Sequence, residues 1–272
     1  KASHMPPLPS EVTGWMKYYP TVNVALARSE NFMVTVAAYG YNDLANTNRG
    51  QYNQHPTGGS VCNIWVKDHG FLQTSSQTTY VRGESMHMPP VNDTVICLTP
   101  RIEFVDKNGY FTNLYEFEGR MTTRSSGDTV AWISTSGELK NEQWLQGGVA
   151  YTWSHALFDN SIEKTVSLRF HDKQPIVRII EPIVEEEGMT FEYASPRKVI
   201  MVGAKRKFVF EILEGDVQVK QGERASRYLF PFPAMKCHPL VIEVQPPTSG
   251  FDQRIKYRLA VVDAATKSAN PR

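Results

Sequence analysis

The chain has 272 residues, 41% hydrophobic and 21% charged, an ordinary globular balance that suits one large core or two packed domains. Its formal net charge is +1, so no global field recruits nucleic acid or an anionic membrane, and any charge logic must be local. No apolar run approaches the roughly 20 residues of a membrane-spanning helix.

In chain order, Lys1-Ala-Ser-His-Met5 reads as a tag remnant and is set aside, His4 included. Ser10-Glu-Val-Thr-Gly-Trp-Met-Lys17 hints at a helix with Ser10 as its cap. Everything after it reads as strands. Val22–Leu26 and Phe32–Ala38 open the pattern, then a polar loop runs from about Tyr41 to Gly59. Two apolar strands follow the loop, Val61–Val66 and Gly70–Ser76. Further candidates are Arg101–Val105, Thr129–Ile133, Val149–Trp153, Lys164–Phe170, Ile176–Ile180, Lys207–Ile212, Leu240–Val244 and Ile255–Val262. Their period-2 alternation and their β-branched and aromatic residues mark half-buried strands. Turn punctuation separates them at Asp106–Gly109, Ser125–Asp128 and Glu214–Asp216.

Ten or more strands without βαβ alternation imply an all-β fold, a large antiparallel β-sandwich of the supersandwich type. Pro196 is a plausible break. Residues 6–196 then form the large sandwich, and 197–272 are further strands of it or a smaller C-terminal sheet.

The 41–59 loop gathers Arg49, Tyr52, Asn53, Gln54 and His55 between two apolar strands. Long irregular loops on a rigid β scaffold are where sites tend to sit. Arg pairs with carboxylates through two hydrogen bonds, and Tyr, Asn and Gln supply oriented ones, so the set suits an acidic or hydroxyl-rich ligand. His55, followed by Pro56, is a natural base or carboxylate neutraliser; the bland alternative is a solvated loop histidine. Gly58-Gly59 is either a flexible lead into a strand or a place for close backbone approach.

Other groups have weaker claims. His55, Asp68-His69 and His87 combine imidazole and carboxylate, but their spacing matches no compact metal motif, and no cofactor is expected. His155 and His171 lie near strand ends and read as structural. Trp132, Trp144, Trp153 and Tyr151 suggest a sugar-stacking platform, against which alternation favours a place in the core. Glu185-Glu-Glu187 reads as a solvated turn rather than a glycosidase acid pair, and Asp43, Asp68 and Glu84 are too scattered to select one. Cys62, Cys97 and Cys237 form no C-x-x-C and read as buried thiols. Nucleophile-elbow, phosphate-loop and zinc-protease signatures are absent, and Lys205-Arg-Lys207 is too short for nucleic acid.

The stretch from His55-Pro-Thr-Gly-Gly-Ser60 through Val61-Cys-Asn-Ile-Trp-Val66 to Gly70-Phe-Leu72 and Thr78-Thr-Tyr80 resembles the β-sandwich module of heparinase II/III-like polysaccharide lyases. The local match spans roughly Val34 to Glu84. The resemblance implies a two-part machine, an α-helical toroid followed by this sandwich, holding an acidic polysaccharide between them. It implies β-elimination at a uronic acid, with His55 in the position of the sandwich's histidine and Arg49, Tyr52, Asn53 and Gln54 binding sugar. It also implies a secreted or periplasmic setting, with neither nucleic acid nor membrane as partner.

Two departures qualify what the resemblance implies. Relatives that bind zinc carry a denser His-x-His-x-Asp pattern, where this chain has Pro56-Thr-Gly-Gly59 after its histidine, so a structural zinc is not expected. An all-β chain has no room for the toroid, so it reads as a fragment of a larger lyase-like protein, inactive alone. The alternative is a non-catalytic carbohydrate-binding or structural sandwich carried by surface aromatics; a β-rich glycoside hydrolase is a more distant third.

Overall fold

The structure is a computed structural model that describes residues 6–9, 11–40, 56–75, 98–171, 176–222, 230–231 and 234–262. Five strands open it: β1 (Trp15–Tyr19), β2 (Val24–Arg28), β3 (Phe32–Ala37), β4 (Ser60–Val66) and β5 (Gly70–Thr74). They form one antiparallel sheet in sequence order. The smaller sheet of the sandwich is therefore N-terminal.

The strands that follow are β6 (Arg101–Asp106), β7 (Gly109–Thr112), β8 (Arg120–Ser126), β9 (Thr129–Lys140), β10 (Gln146–Leu157), β11 (Ser161–Phe170), β12 (Val177–Val184) and β13 (Thr190–Ser195). After Pro196 come β14 (Lys198–Val202), β15 (Lys207–Glu214), β16 (Val219–Gln221), β17 (Phe230–Pro231), β18 (Ala234–Met235), β19 (Cys237–Val244) and β20 (Asp252–Val262). All but β17 and β18, which pair as a hairpin, belong to a 13-stranded sheet. Its order is β13-β14-β15-β20-β11-β10-β9-β7-β6-β12-β19-β16, with β8 also paired to β9. The strands beyond Pro196 thus add to both flanks of the same sheet.

That sheet curls until its two flanks meet. β11 and β12 are five strands apart, roughly 24 Å if the sheet were flat. Yet Lys164 on β11 reaches Glu181 on β12 at 2.6 Å. Tyr193 near one edge bonds His238 near the other at 2.9 Å, and the ring of Phe191 stacks on His238. The small sheet lies against this curl, β5 beside β12 and β1 and β2 beside β9. One continuous hydrophobic core joins the inward residues of both sheets, with Trp153, Phe32, Phe208 and Phe210 among its largest members.

The helix expected over Ser10–Lys17 does not form: Ser10 lies outside the described residues, and Trp15-Met-Lys-Tyr-Tyr19 pairs as β1. Gly14 sits at φ +76°, outside helical space, and the Trp15 indole N–H donates to the Val12 and Pro9 carbonyls. β2 begins two residues later than its alternation suggests. Asn23 adopts φ +51° and spends its side-chain amide on the Ala38 and Gly119 carbonyls. Among the described residues no helix is long and apolar enough to cross a membrane.

Candidate functional site

The five residues expected to carry the site, Arg49, Tyr52, Asn53, Gln54 and His55, lie outside the described residues, as do His87, Asp43 and Glu84. The base from which that loop enters β4 is described. Gly58 and Gly59 sit at φ +61° and +83°, and both are clasped from below by buried donors. The Tyr151 hydroxyl donates to the Gly58 carbonyl at 2.8 Å, and the Asn113 amide to the same carbonyl at 3.2 Å and to Ser60 Oγ at 2.8 Å. His155 Nε2 donates to the Gly59 carbonyl at 2.9 Å. Thr57 Oγ1 donates to the Tyr39 carbonyl at 2.6 Å.

The close-approach reading of the two glycines is the one the geometry supports. A Cβ on Gly58 would lie 2.0 Å from the Asn113 carbonyl oxygen, and one on Gly59 2.6 Å from Thr135 Cβ. Gly59 also donates its N–H to Ala37, the last residue of β3.

The clasp residues are buried and hold backbone carbonyls. Burial keeps the Tyr151 phenol well above its ordinary value, and the Glu116 and Glu138 charges add to the effect. Burial, assisted by the Lys164 charge, lowers His155 to about 3 and outweighs the Gly59 hydrogen bond. At neutral pH Tyr151 is a protonated donor and His155 a neutral one.

Beside the clasp, a groove of about 830 Å³ crosses β8, β9, β10, β11 and β20. Cross-strand register writes its floor. Arg120, Ser136, Thr152, Ser167 and Arg254 stand side by side across the five strands. This is a row of three hydroxyls with a guanidinium at each end, roughly 19 Å long at the usual strand spacing. The next row reads Glu138, Ala150, Arg169 and Asp252. Arg169 bonds Asp252 at 3.0 Å and Arg254 bonds Glu214 at 3.1 Å, so two of these cations are shared with carboxylates.

At the β8 end the buried Glu116 carboxylate takes three bonds, each of 2.9 Å, from the Glu118 and Glu138 N–H groups and from Lys140 Nζ. Gly137 makes room for it, since a Cβ there would lie 2.5 Å from Glu116 Cγ. Glu138 Oε1 faces His171 Nε2 at 3.5 Å, while its Oε2 is buried without a hydrogen-bond partner among the described residues. The sequence offered no sign of Glu116, Lys140 or Asn113. Arg120 and Arg254 are visible in it only as outward positions of alternating strands.

Other candidates find different places. Trp153 and Tyr151 are in the core, while Trp132 stands at the surface under Arg124, 4.1 Å from its guanidinium. Asp68 pairs with Arg206 at 3.1 Å. His69 packs edge-on against Phe208, with Nδ1 2.7 Å from a Glu186 carboxylate oxygen at an angle too poor for a directed hydrogen bond. Burial lowers its pKa against the pull of Glu186. Glu186 thus lies against the β4–β5 turn with about a quarter of its side chain exposed. No group of three or more His, Cys, Asp or Glu is placed to hold a metal among the described residues. Cys62 sits at a bulge in β4, where burial pushes its thiol up to about 12.

Comparison with known proteins adds ancestry to this geometry. The profile of the ulvan lyase C-terminal domain family matches residues 16–258. A broad-specificity ulvan lyase of Formosa agariphila is 28% identical over 195 residues, which are 71% of this chain and 30% of that protein. Heparan sulfate lyase HepC of Pedobacter heparinus has the same fold at a TM-score of 0.60 and 9% identity, over 92% of this chain and 37% of its own. A heparinase III structure gives 0.62 at 10% identity, over 95% and 38%. This chain spans about a third of the length of these relatives.

Proposed function

The chain belongs to the ulvan lyase C-terminal domain family, and from that premise we propose that it is the β-sandwich portion of a polysaccharide lyase. In this reading it binds a uronic-acid-containing polysaccharide and works in a secreted or periplasmic setting beside a catalytic α-helical toroid. The observation that carries the reading is the row of three hydroxyls between Arg120 and Arg254, in a groove whose lining includes the clasp residue Tyr151. Hydroxyls suit sugar hydroxyls, and guanidinium groups spaced along a strip suit carboxylates spaced along a chain.

Elimination at a uronate needs a group that neutralises the carboxylate, a base for the C5 proton and an acid for the leaving oxygen. The C5–H electrons become the C4=C5 double bond, the C4–O bond breaks, and the acid protonates the departing oxygen. Tyr151 and His155 are buried and bonded to the Gly58 and Gly59 carbonyls, so this reading gives them none of these roles. In this proposal His55 supplies the sandwich's share, Arg49, Tyr52, Asn53 and Gln54 bind the sugar, and the toroid supplies the acid. The clasp on Gly58 and Gly59 ties down the point from which the loop enters β4.

The test is release of unsaturated uronate, followed by its ultraviolet absorbance, from ulvan and other uronic polysaccharides by the full-length protein. His55→Ala is expected to slow release by about 100-fold or more, the usual scale for losing a positioned acid or base. Unchanged rates in His55→Ala would remove the loop from the chemistry. Binding without release on any substrate would move the reading to a non-catalytic glycan-binding module.

A further inference from the structure

The outward face of the small sheet carries a second ordered array that the lyase reading does not use. Strand register sets Trp15, Arg28, Met33, Trp65 and Phe71 side by side, one from each of the five strands. The next row along the strands is Lys17, Leu26, Thr35, Asn63 and Thr74. A row about 19 Å long with three rings, Trp15, Trp65 and Phe71, thus runs beside a row of one cation, one leucine, two hydroxyls and an amide. The inward positions between them, such as Ala27, Val34 and Ile64, are fully or almost fully buried, so alternation turns the other members of these two rows outward, while Arg28, tied to backbone carbonyls, is itself buried in the first row.

The rings are both exposed and fixed. Phe71 is 47% exposed, and Trp15, Met33 and Trp65 are half-buried. The Trp15 indole N–H is tied to Val12 and Pro9, and Arg28 lies over the Trp65 ring at 5.4 Å. Arg28 is itself held by the Ser29, Glu30 and Phe32 carbonyls. Lys17 sits 5.0 Å over the Tyr19 ring.

Charge selects the occupant. The five strands contain no Asp or Glu, and their charged residues are Lys17 and Arg28. Of the carboxylates in the adjoining segments, Glu30 pairs with Lys67 at 2.7 Å and Asp68 with Arg206 at 3.1 Å, while Glu11 accepts from the Leu8 N–H. Among the described residues, strands free of carboxylates, with flat rings on one row and mostly hydrogen-bonding groups on the next, match a ligand with apolar faces, hydroxyl edges and negative charge. Thr35, Asn63 and Thr74 on the second row set this face apart from the more apolar centre of a protein interface.

We propose that this face is a second glycan-binding platform, on which an anionic polysaccharide stacks sugar faces along Trp15, Trp65 and Phe71. Lys17, Thr35, Asn63 and Thr74 then engage its carboxylate and hydroxyl groups. The platform rests on the reading that the protein works on such a polysaccharide, and it adds a hold on the polymer apart from the groove. It would keep the enzyme on a long chain between cleavages without touching the reacting sugar.

The experiment uses the full-length protein with two readouts: affinity electrophoresis in gels containing ulvan, and release of unsaturated uronate from short ulvan oligosaccharides. Trp65→Ala, Phe71→Ala and Lys17→Ala are each expected to weaken polymer binding roughly five- to tenfold, the scale of one lost ring or charge contact. Turnover of short oligosaccharides is expected to stay at the wild-type level. Phe71 and Lys17 are exposed, so their variants keep the test sound if Trp65→Ala fails to fold. Wild-type polymer binding in Phe71→Ala and Lys17→Ala, with cleavage intact, overturns the platform and leaves the lyase reading standing. A change in oligomeric state with unchanged glycan binding overturns it in favour of a protein contact. A wild-type protein that neither binds nor cleaves ulvan removes the lyase reading, and the platform with it.

Discussion

Two ion pairs rooted on the same strand show how differently one sheet treats its two faces. β11 runs Ser-Ile-Glu-Lys-Thr-Val-Ser-Leu-Arg-Phe from 161 to 170. Its inward residues are Ile162, Lys164, Val166, Leu168 and Phe170, all essentially buried. Its outward ones include Arg169, which meets Asp252 in water with about two-thirds of each side chain exposed. Lys164 instead meets Glu181 inside the curl, with Nζ 2.6 Å from Oε2. Glu181 also accepts from the Gln73 amide and the Tyr257 hydroxyl, each at 2.6 Å, and Lys164 reaches Gln73 Oε1 at 3.1 Å. Gln73 belongs to the small sheet, so this cluster is a polar bolt between the two layers. Distances alone do not separate the two pairs. Their surroundings do, because removing one partner strands a charge only where water is excluded.

Lys164→Met gives the largest expected effect. It leaves the Glu181 carboxyl buried with two neutral donors and no cation, and is expected to cost about 3–5 kcal/mol in guanidinium unfolding. Adding Glu181→Met is expected to recover at least half of that loss, since the unpaired carboxyl is then gone. Additive losses in the double variant would show that packing, not charge pairing, dominates the bolt.

Next in size is an acid sensitivity lodged in His155, two residues along β10 from Trp153. Its folded pKa of about 3 lies below the ordinary 6.5, so between those values the unfolded chain binds a proton that the folded chain refuses. The associated stability is complete above pH 6.5 and drains away as pH falls toward 3, at about 1.4 kcal/mol per unit within the window. Unfolding midpoints from pH 7.5 to 4.5 are expected to fall more steeply for the wild type than for His155→Gln. Parallel curves would mean that His155 accepts a proton without leaving its site.

Much of this was legible in the alternation. The all-β class, the turn at Asp106–Gly109 and the inward phase of Lys164–Phe170 follow from period-2 patterning and turn chemistry. The lysine standing in the apolar phase of β11 was a visible signal of a buried partner. Curling was not legible: that β12 faces β11 depends on how thirteen strands share one twist, and nothing local to Glu181 marks it. Asn113 and Glu116 were silent for a related reason. They act from a short 3₁₀ turn and its exit, and their partners lie 53 and 24 residues away. The helix expected over Ser10–Lys17 does not form because Gly14 leaves helical space and the aromatic run Trp15–Tyr19 pairs as a strand, which outweighs a candidate cap at Ser10.

The clasp stands between bolt and surface. Tyr151→Phe removes a single buried hydroxyl and leaves the Gly58 carbonyl with the longer Asn113 bond alone. The expected cost is about 1–2 kcal/mol, because the stranded acceptor keeps one partner. If the full-length protein releases unsaturated uronate as proposed, a loss of that release beyond what stability explains would show that the clasp also fixes the loop rooted on it.

The smallest effect belongs to the outward pair, and it tests the comparison most directly. Arg169→Ala removes an ion pair of 3.0 Å, nominally as close as many buried ones. Both side chains are hydrated before and after, and ordering two long side chains offsets most of the Coulomb gain. Its cost in guanidinium unfolding is expected to be about 0.2–1 kcal/mol, shrinking further as salt rises toward 1 M. Lys164→Met should show almost no salt dependence, because ions do not enter the curl to screen it. If Arg169→Ala cost as much as Lys164→Met, or if both losses tracked salt alike, exposure would not be what separates the two faces of β11. The groove would then be a stability element rather than a surface free to take a ligand. A small, screened cost leaves Arg169 and Arg254 available to exchange their carboxylate partners for those of a polysaccharide, which is what the groove reading requires.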